Sequence, residues 1–459
     1  MLLFYIADFR HRLLTWGWQT KGEDIHFETL RCFLRSPKTL IFKTMHWLLT
    51  TFLILLILNS VKSLVLDLLN ARNIRANAGK IPESYAGVMD EETYAKSVAY
   101  SLEKTRFSII TSLYGSIILA VVILCGFLPW MWHALEGFWG ASLWAQAGYL
   151  VVVTLVLSVP DMPFDWYSTF KLEGKFGFNK STLRLWISDK VKGTLVGFVI
   201  GYPLICLLLK LVDWLGSNWW IWGFVVIFVF QLAMMVLYPK LIMPLFNKLE
   251  PLESGDLKNQ LMDLSDSSGF AAKTIEVMDG SKRSGHSNAF FTGFGKFRRI
   301  VLFDTLMEQL EINELKAVLA HEIGHYKRGH VPKMVAMSAV GMLVAFWAIA
   351  FLATSTWFYA GFGFEGVTSI APAFLLFSIM SGLITSWLTP VFSILSRKHE
   401  YEADAFARDA MGEYQSLIGA LRKLNEKNLS NLTPHPIYSA FYYSHPTLLE
   451  RESAMKGEA

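Results

Sequence analysis

Charge is what this sequence has least of for its length. Of its 459 residues, 17% are Asp, Glu, Lys or Arg and 53% are hydrophobic, whereas a water-soluble domain carries about a quarter charged residues. That shortfall argues against a soluble globule and for a polytopic membrane protein. Cysteine is scarce as well. Cys32, Cys125 and Cys206 have no metal-ligand spacing and cannot make a disulfide framework. The formal net charge of +4 is too small to point to nucleic acid. Internal repeats and low-complexity tracts are lacking, and the opening Leu2–Ile6 run is too short for a signal-peptide core.

What is present in quantity is long apolar sequence. Seven stretches, near 47–66, 107–130, 145–163, 193–212, 219–238, 332–354 and 370–392, approach the roughly 20 residues needed to cross a bilayer. Pro203 and Gly201 are expected to kink the fourth. Asp161 and Asp165 end the third and read as capping or interfacial groups. Sixteen Trp and sixteen Tyr fit interfacial belts or an ordinary core.

The loops between these stretches alternate in charge. Those at 67–106 and 164–192 are rich in Lys and Arg, as are 239–331 and the C-terminal tail, whereas 133–144, 213–218 and 355–369 contain neither. By the positive-inside rule the basic set faces the cytoplasm. With seven spans the N-terminus then lies outside, yet residues 1–46 carry seven basic residues. That extension reads as an amphipathic surface segment or as a piece with no fold of its own. The division expected is therefore 1–46, extension; 47–238, five membrane helices; 239–331, first part of a soluble domain; 332–392, two further helices; and 393–459, its second part.

Within the first soluble part, His286–Phe294 and Arg299–Phe303 read as short strands around Gly295-Lys296. Thr305 with Glu308 has capping-box spacing. A helix beginning near Asn313 carries His-Glu-Ile-Gly-His, residues 321–325. On a helix His321 and His325 lie one turn apart on one face, the spacing that lets two imidazoles grip one zinc ion and leaves Glu322 beside it to handle a proton. The bland alternative is a solvated helix with two histidines. Leu315, Val318 and Leu319 make an apolar flank that fits a packed helix better.

A catalytic zinc takes a third protein ligand. His330 follows His325 by five residues and points well around a continuous helix from the other two, which suits a helix-end or supporting role. The segment SRKHEYEADAFA, 396–407, offers a carboxylate instead. Glu400 and Asp404 are spaced i, i+4 on one face, so Glu400 can bind zinc while Asp404 accepts the free ring N–H of a histidine ligand. The competing reading is a charged, exposed helix, and Glu402, on another face, fits that reading.

Taken in order, HSNAFFTGFGKFRRIVLFDTL, HEIGH, RKHEYEADAFA and HPTLLER resemble the integral-membrane CAAX prenyl proteases of type I, a zinc metallopeptidase family. FDWYSTFKLEGKFGFNKST, 164–182, is similar to that family's loop between its third and fourth spans. The resemblance runs from about residue 47 onward. It implies a mainly α polytopic fold of about seven transmembrane helices around a barrel-like chamber, with a small α+β zinc-peptidase domain. It implies one Zn2+ per chain on His321, His325 and Glu400, and Glu322 as general base and later proton donor. Asn288, His445 and Arg451 are implied to hold substrate or steady the oxyanion. The partners expected are the lipid bilayer and a peptide or protein substrate, prenylated at a C-terminus that loses its last three residues. A related reading keeps the chemistry but makes the chain a quality-control protease for misfolded or stalled membrane proteins. A transporter or scaffold with a degenerate site is the reading from another class, and the complete His, His, Glu and base set argues against it.

Overall fold

The computed structural model describes residues 46–270, 272–292 and 298–458. Residues 1–45 of the extension and the Gly295-Lys296 turn lie outside the described residues. The chain divides into two compact units, 1–50 and 51–459, and the candidate site lies wholly in the second.

By length and composition five helices can cross a membrane, or six if one bent pair counts as a span. The first, Trp47–Ala76, runs ten residues past the expected 66. The second starts at Glu91, where the Asp90 side chain accepts from the Thr93 N–H, and ends at Leu124, not 130. Gly126, φ +64, turns the chain there into a separate short helix, Phe127–Trp139. The third candidate continues as far as Phe176, so the first half of the expected 164–192 loop is helical. Beyond it, Leu183–Leu215 contains Pro203 without being ended by it, and Trp219–Leu237 follows.

The last apolar stretch is a broken helix. Ala371–Thr385 and Thr389–Met411 meet at 65°. A break inside apolar surroundings frees carbonyl groups that need partners. The first helix supplies them: Asn59 Nδ2 donates to the Leu383 oxygen at 2.8 Å, and Lys62 Nζ to the Ser386 oxygen at 3.1 Å. The bend sends the second half, with Glu400 and Asp404, off to pack with the 249–327 part of the chain.

That part contains a four-stranded sheet. Its strands are β1 (Leu249–Pro251), β2 (Thr274–Met278), β3 (Ala289–Thr292) and β4 (Arg299–Phe303). Their spatial order is β1-β2-β4-β3, with β2 and β4 parallel and β3 antiparallel on β4 as an edge strand. Strand β3 thus begins three residues later than His286. Helix Asp304–Gln309 follows β4 but is not capped by Thr305. Thr305 sits inside its first turn, and its hydroxyl donates to the His286 carbonyl.

The helix bearing the 321–325 motif, Ile312–Lys327, opens on a reciprocal Glu311/Glu314 capping box. Leu315, Leu319 and Ile323, spaced i, i+4, pack on Ile275, Ile300 and Leu302 of the sheet. Ala317 and Ala320 face the other way, against Ala407, Leu417 and Leu421. Small residues on that second face let another helix come close. The motif helix ends at Gly329, φ +67, and a new one, His330–Ala353, begins at once. The break is therefore glycine's, whereas Pro332 sits in the new helix's first turn, where its missing N–H is harmless.

Candidate active site

Three side chains meet at one point. Nε2 of His321 and Nε2 of His325 are 3.2 Å apart. Glu400 completes the triangle, its Oε2 3.4 Å from His321 Nε2 and its Oε1 3.3 Å from His325 Nε2. Ligands about 2.0–2.1 Å from a tetrahedral zinc are themselves roughly 3.3 Å apart, so the triangle has the size that ion requires. Among the described residues, the buried Glu400 Oε2 has no hydrogen-bond partner and, besides the histidines, only Arg451 Nη1, 3.8 Å away, as a cationic neighbour. A buried carboxylate oxygen so weakly met is costly unless a closer cation meets it. These residues fit a metal ion.

Gly324 is what brings the carboxylate within reach. A Cβ there would stand 3.0 Å from the Cα and carbonyl oxygen of Ala403. The motif's glycine lets the two helix backbones touch at Ala403, about one turn after Glu400 and next to Asp404.

Behind the triangle, Asp404 Oδ1 lies 2.8 Å from His321 Nδ1. That contact keeps the proton on Nδ1 and leaves Nε2 for a metal. Arg451 in turn grips Asp404 with two hydrogen bonds of 2.6 and 2.8 Å. The HPTLLER segment explains its arrival. Thr447 and Glu450 form a capping box that starts helix Leu448–Lys456 and aims Arg451 inward. In this metal-free arrangement burial opposes a charge on His321, but Asp404 and Glu400 outweigh it and raise the imidazole to about 9. Burial also raises the Glu322 carboxyl above its ordinary value.

The other expected residues are less tightly held. His445 Nε2 is 3.5 Å from Glu400 Oε1. Its ring is exposed, but to a cavity, and seclusion there lowers its pKa. Asn288 sits at the start of β3, its side chain on the Ala289 N–H. Among the described residues it has no hydrogen bond or ion pair to the other candidates. Two further groups belong to the site. His330 contacts His325 across the helix break, and Glu402, expected to be a solvated surface residue, contacts His330. The continuous-helix register hid both, because Gly329 redirects the chain.

A cavity of about 730 Å³ opens beside the cluster. Its lining includes His445 and Arg451, through which it adjoins the triangle, and Tyr100, Lys104 and Ser108 of the second membrane helix.

The same arrangement of sequence occurs in known proteins. Residues 70–248 match the model of the CAAX prenyl protease N-terminal region with five membrane helices, and residues 251–459 match peptidase family M48. CAAX prenyl protease 1 of Saccharomyces cerevisiae is 38% identical over 82% of this chain and 88% of its own. The chain belongs to the type I CAAX prenyl proteases of family M48. The human homologue is 31% identical over 84% of this chain and 90% of its own. The crystal structure of S. mikatae Ste24p superposes with a TM-score of 0.83 at 36% identity, covering 88% of this chain and 98% of that one. As a family member this chain is a multi-pass membrane metalloprotease, and the triangle of His321, His325 and Glu400 is its candidate metal centre.

Proposed function

We propose that this M48 protease is a zinc-dependent endopeptidase that removes the C-terminal tripeptide of prenylated CAAX-type chains, on the cytoplasmic side of its membrane. The observation that carries the reading is the triangle's size and composition, two imidazoles and a carboxylate beside the cavity. Zinc held there by His321, His325 and Glu400 would supply Lewis acidity toward a water and a peptide carbonyl at neutral pH.

The chain's own residues do the rest. Glu322, whose carboxyl burial raises above its ordinary value, takes the proton from the attacking water and returns it to the departing amine. His445, whose Nε2 lies 3.5 Å from Glu400 Oε1, donates to the developing oxyanion, an interaction worth a few kcal/mol. Arg451 acts by holding Asp404, and through it His321, while its Nη1 lies 3.8 Å from Glu400 Oε2. Strand β3 is an edge, so a substrate segment can pair beside it as an added strand, with Asn288 at its start.

Length supports seven crossings around the cavity. The Leu183–Phe246 run holds two helices, Leu183–Leu215 of 33 residues and Trp219–Leu237 of 19, each near or above the roughly 20 residues that a crossing takes, and Gly216, φ +53, offers a turn between them. On this reading the peptidase is split into 239–331 and 393–459, with two membrane helices between.

The test is cleavage of a farnesylated and an unmodified CAAX peptide by purified protein, with and without a zinc chelator. Chelator-sensitive release of a tripeptide, favouring the farnesylated peptide, is expected. Equal cleavage of both peptides defeats the prenyl specificity, and chelator-insensitive cleavage defeats the metal.

A further inference from the structure

We propose that His330 and Glu402 form an outer relay that positions His325 as a metal ligand. It rests on the assignment of the metal to His321, His325 and Glu400.

Three contacts build the relay. His325 Nδ1 lies 2.9 Å from His330 Nδ1, and His330 Nε2 lies 2.9 Å from Glu402 Oε2. The His330 ring also stacks on His399, with centroids 4.0 Å apart and planes 13° from parallel. His330 is 1% exposed and His399 5%. Neither ring is a solvated helix-end group.

The carboxylate at the far end sets the direction of every hydrogen bond. An ionised carboxylate only accepts, so Nε2 of His330 carries the proton and donates to Glu402. Nδ1 of His330 is then a bare acceptor. His325 must donate to it from Nδ1, and the lone pair of His325 falls on Nε2, the atom facing His321 and Glu400. In the opposite arrangement a proton on His325 Nε2 points into the triangle and blocks a metal. His321 has its tautomer fixed directly by Asp404, and His325 has the same done at one remove. The stacked His399 holds the plane of the intermediate ring.

The sequence interval supports a built device. Five residues separate His325 from His330, the wrong register for contact on one helix. The Gly329 turn between the two helices restores it. Glu402 comes from the same helix as Glu400, two residues on, so one helix supplies a ligand on one side and the relay's anion on another.

The test is zinc affinity of the full chain, read by competition with a chelator, for wild type, His330→Leu, His330→Asn, Glu402→Ala and the double variant His330→Leu/Glu402→Ala. Supporting groups of this kind typically contribute about 10–100-fold in metal affinity. His330→Leu is expected to weaken zinc binding by about that factor, and Glu402→Ala by less. The double variant is expected to bind no more weakly than His330→Leu alone, since both act through one path. His330→Asn, whose amide oxygen can accept from His325, is expected to recover most of the loss, which a packing role does not predict. Additive losses, no recovery in Asn, or wild-type affinity in His330→Leu and Glu402→Ala overturn the relay. Should His330→Leu fail to fold, Glu402→Ala decides: unchanged affinity overturns the proposal. No zinc in the wild type, or full binding by His321→Ala, strikes instead at the metal centre itself.

Discussion

Arg451 holds Asp404 by both oxygens, Nη2 to Oδ1 at 2.6 Å and Nε to Oδ2 at 2.8 Å. Both side chains are buried, and the same Oδ1 meets His321. One carboxylate therefore serves a guanidinium and a candidate metal ligand together. Arg451→Ala strands that charge, and removing one partner of a buried pair typically costs 3–5 kcal/mol. A fall in melting temperature of the full chain, with lower zinc content, is expected. An unchanged melting temperature contradicts the pairing.

Glu322 and Glu400 separate by measurement, although both are glutamates at one cluster. Glu322→Gln removes the base and leaves the triangle intact. Zinc content should stay at the wild-type level while kcat drops by about 10²–10⁴-fold, the usual contribution of a positioned proton acceptor. Glu400→Ala removes a corner of the triangle, so the protein should purify with little zinc. Zinc measured on both variants alongside cleavage distinguishes the roles, and the opposite pattern exchanges them.

Much of this site was legible because helical spacing is a strong signal. His321 and His325 one turn apart, and Glu400 and Asp404 one turn apart, need only the period of a helix to be placed on common faces. The apolar stretches were readable only in part, as length against bilayer thickness: among the described residues five helices are long and apolar enough to cross, or six with the bent pair, against the seven expected. What escaped depends on how elements end and meet. The Gly329 turn bends His330 back to His325, and no periodicity carries that information. The break between Thr385 and Thr389 depends on Asn59 and Lys62, more than 320 positions away, which supply the freed carbonyls with donors. Glu402 looked like a solvated residue because its partner is reached only through that turn.

Protonation of His321 makes zinc binding pH-dependent in a definite direction. In the metal-free protein its pKa is raised from 6.5 to about 9, with burial opposing the charge and Asp404 and Glu400 prevailing. The stabilisation of the metal-free fold from this charged ring is therefore complete below the unfolded value and lost as pH rises through about 9. Zinc needs the neutral ring, so near neutrality it must displace a proton. Apparent affinity should strengthen by roughly tenfold per pH unit until that range is passed, with about one proton released per ion. Calorimetric titration in two buffers of different ionisation enthalpy counts that proton. An affinity flat across this window rules the charged ring out.

Base strength gives a second pH signature. Burial raises the Glu322 carboxyl above the ordinary carboxylate range. A general base must be ionised, so cleavage should fall as pH decreases through that raised pKa. The acidic limb of kcat/KM is then expected above the ordinary carboxylate range, and Glu322→Asp should shift it while keeping zinc. A limb at or below the ordinary value removes Glu322 from the proton's path.

Gly324 is the position where a single methyl group tests the architecture. An added Cβ meets backbone atoms of Ala403 at 3.0 Å and Cβ of Phe406 at 3.1 Å, contacts that no rotamer change relieves. Its own φ is not in the left-handed region, so Gly324→Ala leaves the motif helix unstrained and by propensity favours it. The penalty must fall on the gap between helices, and overpacking of this kind costs about 1–3 kcal/mol. Moving helix Thr389–Met411 outward carries Glu400 and Asp404 with it, while His321 and His325 stay. Gly324→Ala should therefore keep its helical circular dichroism, melt at a lower temperature and bind zinc more weakly. The loss should appear in zinc affinity more than in kcat of the zinc-loaded fraction. If it binds zinc as the wild type does, the close approach at Ala403 is not what sets the third ligand's position.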